Sequence, residues 1–276
     1  MIEDAHDQRL ADYVELADPA ARRRRERDEL FVCEGAVALS KLLASGHEIR
    51  SVLTTPKHLA RVEAIVGASP PFPLHVTSPD VMRATVGFNL HRGVVAAANR
   101  RPLPTLDRLL AAAGAAPRAP TCIAVLEGLN DPENLGLIAR SARAFGVAAL
   151  VLDPTCIDPY YRRTVRVSMG EVLLLPVARA ARWPGDLDRI HAAGFETWAL
   201  TPGGEVSVWE AAAPGRVALL LGAEGPGLSA AVLSAASRRV AIPIDPAVDS
   251  INVGHAAAIA FAATAAAGRA GQRATS

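Results

Sequence analysis

The sequence predicts an α/β protein of two domains, the second built on a parallel sheet. Three observations carry that reading. Short apolar runs alternate with helical patterns along most of the chain. Two runs, Cys122–Leu126 and Val217–Leu221, are continuously apolar, as strands buried on both faces of a parallel sheet are. Between the halves, residues 100–120 hold four prolines around an Ala-rich middle, which reads as a connection with a helical turn or two. A length of 276 residues accommodates a first domain over 1–100, a linker over 101–119 and a second domain over 120–276. With aromatics at 4%, the core must be built from Ala, Val, Leu and Ile.

The elements follow in order. Residues 7–25 place Leu10, Tyr13, Val14 and Leu16 at helical spacing, and an arginine run, Arg22, Arg23, Arg24 and Arg25, follows with Arg27. That run reads equally as a solvated face or as a phosphate-contacting patch. Phe31–Gly35 is a short apolar run, and an Ala/Leu helix pattern continues through Leu43. Ile49–Leu53 reads as a strand, Pro56–Val66 as a helix and Leu74–Val76 as a strand. Ser78 can cap a helix that starts with Pro79, and Gly93–Ala98 closes the first domain as a strand.

In the second half Leu135–Phe145 reads as a helix, Ala148–Leu152 as a strand, Arg162–Met169 as a short helix and Leu173–Pro176 as extended. Leu187–Ala193 then reads as helix, Thr197–Leu200 as strand, Leu228–Ala236 as helix, Arg239–Ile242 as strand and Val253–Ala267 as helix. The cluster Arg162, Arg163 and Arg166 falls within this half and is the better candidate for phosphate contact; Arg92 is another, and Arg143 reads equally as a plain helix residue.

Bulk properties exclude several classes. A net charge of +1 gives no global field that would announce a nucleic acid, so any such partner must be met by local patches. Cys33, Cys122 and Cys156 are too few and too scattered for a disulfide framework or a zinc site, and they read as buried reduced thiols of a cytoplasmic protein; no metal is expected. The N-terminus MIEDAHDQRL is acidic and polar, unlike a signal peptide, and the most apolar stretch, Ala256–Ala267, is too short to span a bilayer.

Chemistry-bearing residues gather at strand ends of the second half, where ligands bind in open α/β sheets. The first such segment, Glu127 to Arg140, leaves a strand and enters a helix. Asn134 can cap that helix, and Gly136 permits close backbone approach. A capped helix with a surface arginine explains it as well as a ligand does. The second, Leu219 to Leu228, sets Gly222, Glu224, Gly225 and Gly227 in a turn straight after a buried strand; it is neither a P-loop nor a dinucleotide-binding fingerprint. In the third, Ile242 to Ala258, a proline-bearing loop leads to Ser250 and Asn252, which open an Ala-rich helix and read equally as caps or as ligand contacts.

Together the three segments resemble the signature motifs of the SpoU (TrmH) family of RNA ribose methyltransferases, in the SPOUT superfamily. Asn134, Gly136 and Arg140 resemble its N-x-G…R motif. Gly222, Glu224, Gly225 and Gly227 resemble L-G-x-E-G-x-G. Ile242, Pro243, Ser250, Ile251 and Asn252 resemble I-P-M…S-L-N-V. Phe31–Gly35 and Val86–Gly93 resemble, more loosely, the family's ribosomal-protein-like substrate-binding domain. Ala223, where the family often has Asn, Ile244, Ile251 and His255 depart from the pattern, and none removes a presumed catalytic group.

The resemblance implies a C-terminal parallel-sheet domain with a trefoil knot, a rarity among folds, and a homodimer whose active site is shared across subunits. It implies methyl transfer from S-adenosylmethionine to a ribose 2′-hydroxyl of RNA, with ribosomal RNA favoured over tRNA by the extra N-terminal domain. Self-protection against a ribosome-targeting antibiotic and a non-catalytic RNA-binding or assembly factor are the alternatives. Catalytic roles fall to Arg140, Asn134, Glu224, Ser250 and Asn252, with Asn134 and Glu224 positioning Arg140. Leu200, Gly222, Ile242 and Ile251 would cradle the cofactor through backbone groups. An arginine side chain is a poor base, so Arg140 is expected to orient the hydroxyl and stabilise developing alkoxide charge.

Overall fold

The computed structural model describes residues 1–27, 30–115, 121–211 and 215–274, with the side chains of 22, 23, 26, 27 and 268–274 left outside the description. In chain order, a 3-10 turn over Gln8–Tyr13 leads to α1 (Pro19–Arg27), β1 (Leu30–Glu34), α2 (Ala36–Ser45), β2 (Ile49–Thr54), α3 (Pro56–Val66), β3 (Leu74–Val76), α4 (Pro79–Val86) and β4 (Val94–Asn99). There follow α5 (Leu106–Gly114), β5 (Thr121–Glu127), α6 (Pro132–Phe145), β6 (Ala149–Leu152), α7 (Arg162–Val167), β7 (Val177–Arg179), α8 (Leu187–Ala192), β8 (Glu196–Leu200), β9 (Val206–Ser207), β10 (Arg216–Gly222), α9 (Ala230–Ala235), β11 (Arg238–Ala241) and α10 (Val253–Ala274).

These elements form two compact units, residues 1–102 with 160–174, and 103–159 with 175–276. The first unit is a four-stranded sheet in the order β1-β4-β2-β3, antiparallel except for β2 with β3. One face buries Leu10, Tyr13, Leu30, Val32, Leu53, Met82, Val86 and Val95 in a single cluster, each large aliphatic chain contributing about 1.5–3 kcal/mol by leaving water. The phenol of Tyr13 is fully buried yet satisfied, 2.7 Å from the Ser51 hydroxyl. Ser78 caps α4 as expected, its hydroxyl accepting from the Val81 amide.

The second unit carries a seven-stranded, wholly parallel sheet in the order β7-β6-β5-β10-β8-β11-β9. Period two along β5 sends Ile123 and Val125 into a core shared with Leu109, Leu110, Leu187, Ile190 and Val232, from α5, α8 and α9. Across the sheet, α10 packs on α6 and β10, burying Ile138, Ala142, Ala257, Ala260 and Phe261. The chain runs outward through β5, β6 and β7, then reverses, and β10 later enters between β5 and β8. The carboxyl ends of β5, β10 and β8 therefore flank a topological switch point, where an open α/β sheet leaves a crevice.

The α/β class, with a parallel sheet in the second half, is as expected, and three local readings are corrected. The stretch read as a linker contains α5, whose Leu106, Leu109, Leu110 and Ala113 are buried in the second unit, with the Thr105 side chain as its cap; residues 116–119 lie outside the described residues. Residues 171–174 form a 3-10 turn, and the extended segment comes later, as β7. The short strand β9 was not anticipated. The thiols of Cys33, Cys122 and Cys156 are free and buried, and the loss of solvent pushes each up to about 12.

Candidate active site

The three strand-end segments converge on the switch point. After β5 the chain turns at Gly128, whose amide donates to the buried carboxylate of Asp153 at 3.1 Å. The helix α6 is capped by Asp131, whose side chain accepts from the Glu133 amide, with Pro132 at its first position. Asn134 therefore lies inside the first turn and is not the cap. It is buried, at 3% exposure, with its amide turned toward the ends of the other two segments.

The second segment leaves β10 at Gly222 and folds back on itself. A Cβ on Gly222 would lie 2.2 Å from the carbonyl carbon of Gly227, so only glycine permits this crossing. The Gly227 amide donates to the Ala223 carbonyl at 3.0 Å, and Gly227 takes φ +68°. The third segment ends at Asn252, whose Oδ1 accepts from the amides of Gly254 at 2.9 Å and His255 at 3.3 Å, capping α10.

Side chains from all three segments meet in one network. The Asn134 Nδ2 donates to Glu224 Oε2 at 3.1 Å, and Asn252 Nδ2 donates to Asn134 Oδ1 at 2.8 Å and more weakly to Glu224 Oε2 at 3.5 Å. Beside this network lies an apolar-walled pocket lined by Leu200, Leu221, Ile242, Ile244, Ile251 and Val253, together with Thr201, Pro202, Ala256, Gly222, Ala223, Glu224, Gly225, Gly227 and Ser250. All four expected cofactor residues, Leu200, Gly222, Ile242 and Ile251, line it. Thr201, Pro202 and Ala256 were missed, because a pocket wall built from a loop and an Ala-rich helix leaves no motif in the sequence.

Arg140 stands apart from the network. It is exposed and has no hydrogen-bond or ion-pair partner among the described residues. Six residues of α-helix turn its direction by about 120° from that of Asn134 and displace it by about 9 Å along the axis. Asn134 and Glu224 hold each other and Asn252, and neither holds Arg140. His255 is exposed on the first turn of α10.

The expected RNA-contact arginines divide. Residues 160–174 fold into the first unit, which takes Arg162, Arg163 and Arg166 out of the second. There α7 packs on β1, and Arg162 forms an ion pair with Glu34, whose side chain is only 3% exposed. The Arg162 guanidinium also lies 4.8 Å from the Phe88 ring centroid. Burial, and then the neighbouring charges of Arg166, Arg25 and Arg163, pull Arg162 down to about 10 in spite of that pair. Arg166 reaches the second Glu34 oxygen at 4.0 Å. Arg25 donates to the carbonyls of Val14 and Leu16, Arg24 faces Glu15 at 3.9 Å, and Arg92 approaches the Met169 sulfur at 3.9 Å. The side chains of Arg22 and Arg23 lie outside the described residues. Among the described residues no cluster of His, Cys, Asp and Glu is arranged to hold a metal ion, and no helix is long and apolar enough to cross a membrane.

Residues 121–262 match the model of the SpoU rRNA Methylase family. A Mycobacterium tuberculosis protein described as an uncharacterized tRNA/rRNA methyltransferase is 42% identical, over 94% of this chain and 88% of its own. Among solved structures, an RNA 2′-O ribose methyltransferase is 29% identical, with a TM-score of 0.78 over 98% of this chain and 99% of its own. The SpoU methyltransferase AviRb of Streptomyces viridochromogenes, solved with AdoMet, shares the fold at a TM-score of 0.80 and 22% identity, over 98% of this chain and all of its own. The match over residues 121–262, together with a relative 42% identical over 94% of the chain, means that the chain belongs to the SpoU rRNA methylase family.

Proposed function

We propose that the second unit transfers a methyl group from S-adenosylmethionine to a ribose 2′-hydroxyl of RNA. The observation that carries this is the convergence of three separate segments on one pocket, with Asn134, Glu224 and Asn252 bonded to one another at its edge. The pocket suits the cofactor. Its aliphatic walls match a flat purine, and its glycine-rich rim exposes backbone groups that can meet the purine edge and the ribose hydroxyls. The Glu224 carboxylate supplies negative charge for a cationic ligand.

Bound there, the cofactor supplies an electrophilic methyl on a sulfonium. Leu200, Ile242 and Ile251 exclude water, and the Gly222–Gly227 backbone fixes orientation. Ser250 lines the same pocket and serves the substrate side. Arg140, without a side-chain partner among the described residues, orients the 2′-hydroxyl and its adjacent phosphate and stabilises charge developing on the oxygen. Transfer of the methyl group would leave the cofactor as its neutral thioether, and the hydroxyl proton would pass to solvent, with Arg140 compensating the charge on the oxygen. In-line placement of the two reacting atoms accounts for about 7–11 kcal/mol of the barrier.

A second copy of the chain completes this site in our reading. Leu137 and Phe145 are exposed on α6, the helix that carries Arg140, so a partner covering that helix would bury them and bring a neighbouring pocket to Arg140. The trefoil knot belongs to the same reading: β10 enters between β5 and β8, and a Cβ on Gly204 would meet the backbone of Val240 and Ala241 at 2.4 Å, a close crossing of two late segments. Ribosomal RNA is placed ahead of tRNA because the chain carries a separate N-terminal unit besides the one that holds the pocket. The test is transfer of labelled methyl from S-adenosylmethionine to rRNA and to tRNA fragments, repeated with the target ribose replaced by 2′-deoxyribose. Loss of transfer to the deoxy substrate supports the reading, and undiminished transfer overturns it.

A further inference from the structure

The turn from Gly222 to Leu228 is held at two points. At its entrance Gly222 lies in parallel register with Glu127, the last residue of β5. At its exit Ser229 is held by the same residue. The Ser229 amide donates to Glu127 Oε2 at 2.7 Å, and its hydroxyl donates to Glu127 Oε1 at 2.8 Å. Trp183 Nε1 donates to Oε1 at 2.8 Å, so both carboxylate oxygens are engaged. Ser229 in turn caps α9, accepting from the Val232 amide at 3.3 Å.

We infer that Glu127 is a positioning residue for the methyl-donor pocket: its carboxylate clamps the exit of the Gly222–Gly227 turn and so sets the backbone that meets the cofactor. This rests on the reading of that pocket as the S-adenosylmethionine site. A glycine-rich turn resists distortion poorly, because glycine gives the backbone its widest freedom. Close packing of Gly222 on Gly227 and the Gly227–Ala223 backbone bond draw the two ends of the turn together, but around Gly225 and Gly227 no heavy atom lies within 4 Å of where a Cβ would stand. A charged acceptor two residues beyond Gly227 adds a side-chain restraint that ties the turn to β5, and bonds to a charged group are about twice as strong as neutral ones. The same carboxylate immediately precedes Gly128, so the turn is referred to the strand that leads into α6 and Asn134.

Glutamine at this position has the same shape but one acceptor end. If its oxygen meets Trp183 and the Ser229 hydroxyl, its NH₂ confronts the Ser229 amide N–H; reversed, it confronts the Trp183 N–H. Glu127→Gln should therefore raise the Kd for S-adenosylmethionine about tenfold, and Ser229→Ala about threefold. The double variant should be no weaker than Glu127→Gln alone, because both changes remove one link. Calorimetric titration of the four proteins with S-adenosylmethionine, alongside thermal unfolding without it, gives the answer. A Kd within twofold of the parent in Glu127→Gln, whatever its melting temperature, assigns the carboxylate to stability only and overturns the inference. If Glu127→Gln does not fold, an unchanged Kd in Ser229→Ala overturns it. Failure of the parent protein to bind S-adenosylmethionine overturns instead the functional reading on which the inference stands.

Discussion

Two clusters of polar side chains, one in each unit, differ in how their charges are used. Around Glu34 in the first unit, guanidiniums gather on one buried carboxylate, and Arg162 is consumed by an ion pair and an aromatic face. Around Glu224 in the second unit, the partners are two neutral amides, and Arg140, six residues further along the helix that carries Asn134, has no side-chain partner among the described residues. The first arrangement satisfies itself, whereas the second leaves a charge available for a substrate. Local density of arginine is thus a poor guide to an available guanidinium; the arginine proposed to act on substrate is a solitary one on the helix that carries Asn134.

The comparison breaks most sharply at Arg140. Arg140→Ala should lower kcat for methyl transfer by about 100- to 1000-fold, with the Kd for S-adenosylmethionine unchanged, as removal of a group that acts only on developing charge does. Single-turnover kinetics at saturating cofactor check this; a loss below threefold removes Arg140 from the chemistry. At Glu34 the effect should be on stability. Glu34→Gln leaves the largely buried Arg162 uncompensated and should cost about 3 kcal/mol in denaturant unfolding, with cofactor affinity unchanged. A cost under 1 kcal/mol would make Arg162 available for RNA after all.

Asn252→Ala removes a helix cap and the link to Asn134 together. It should cost about 1–2 kcal/mol of stability and weaken cofactor binding severalfold, whereas Asn252→Ser, which keeps a capping oxygen but not the amide donor, should restore most of the stability alone. The smallest effect concerns pH. His47, half-buried against Phe31 and Tyr160 and near Arg101, is pulled down to about 4, first by burial and then by the Arg101 charge. Its unfolded form takes up a proton below its ordinary value of 6.5, while the folded form resists until about 4. The stability it contributes is therefore full above pH 6.5 and is lost as pH falls from 6.5 toward 4. Urea midpoints across that window should slope less in His47→Gln; an identical slope would exclude His47 as a source of acid sensitivity.

Much of the second unit was legible in the sequence, because β5 and β10 are continuously apolar and the three motif segments each follow a strand. Helices with local punctuation were equally legible: Pro56 and Ser78-Pro79 mark α3 and α4 without reference to anything distant. What could not be read depended on tertiary placement. Asp131 took the cap expected of Asn134 because Pro132 fixes the start of α6 earlier, which frees Asn134 to face Glu224 and Asn252. The Arg162 cluster lies between two strands of the second unit, yet it folds with the first, because Glu34 offers a buried carboxylate that no local pattern announces. Glu127 reads in the sequence only as the first residue of the segment that leaves the strand, with no role of its own, although its three bonds reach residues 56 and 102 positions away.

The central claim is that the second unit methylates a ribose hydroxyl of RNA, with Arg140 acting on the oxygen. Its most direct test is a map of ribose 2′-O-methylation in rRNA and tRNA from cells that lack the protein, from cells given it back, and from cells given the Arg140→Ala form. The account predicts that a defined ribosomal RNA site loses its methyl group without the protein, regains it with the parent and does not regain it with Arg140→Ala. Identical maps in all three would contradict it.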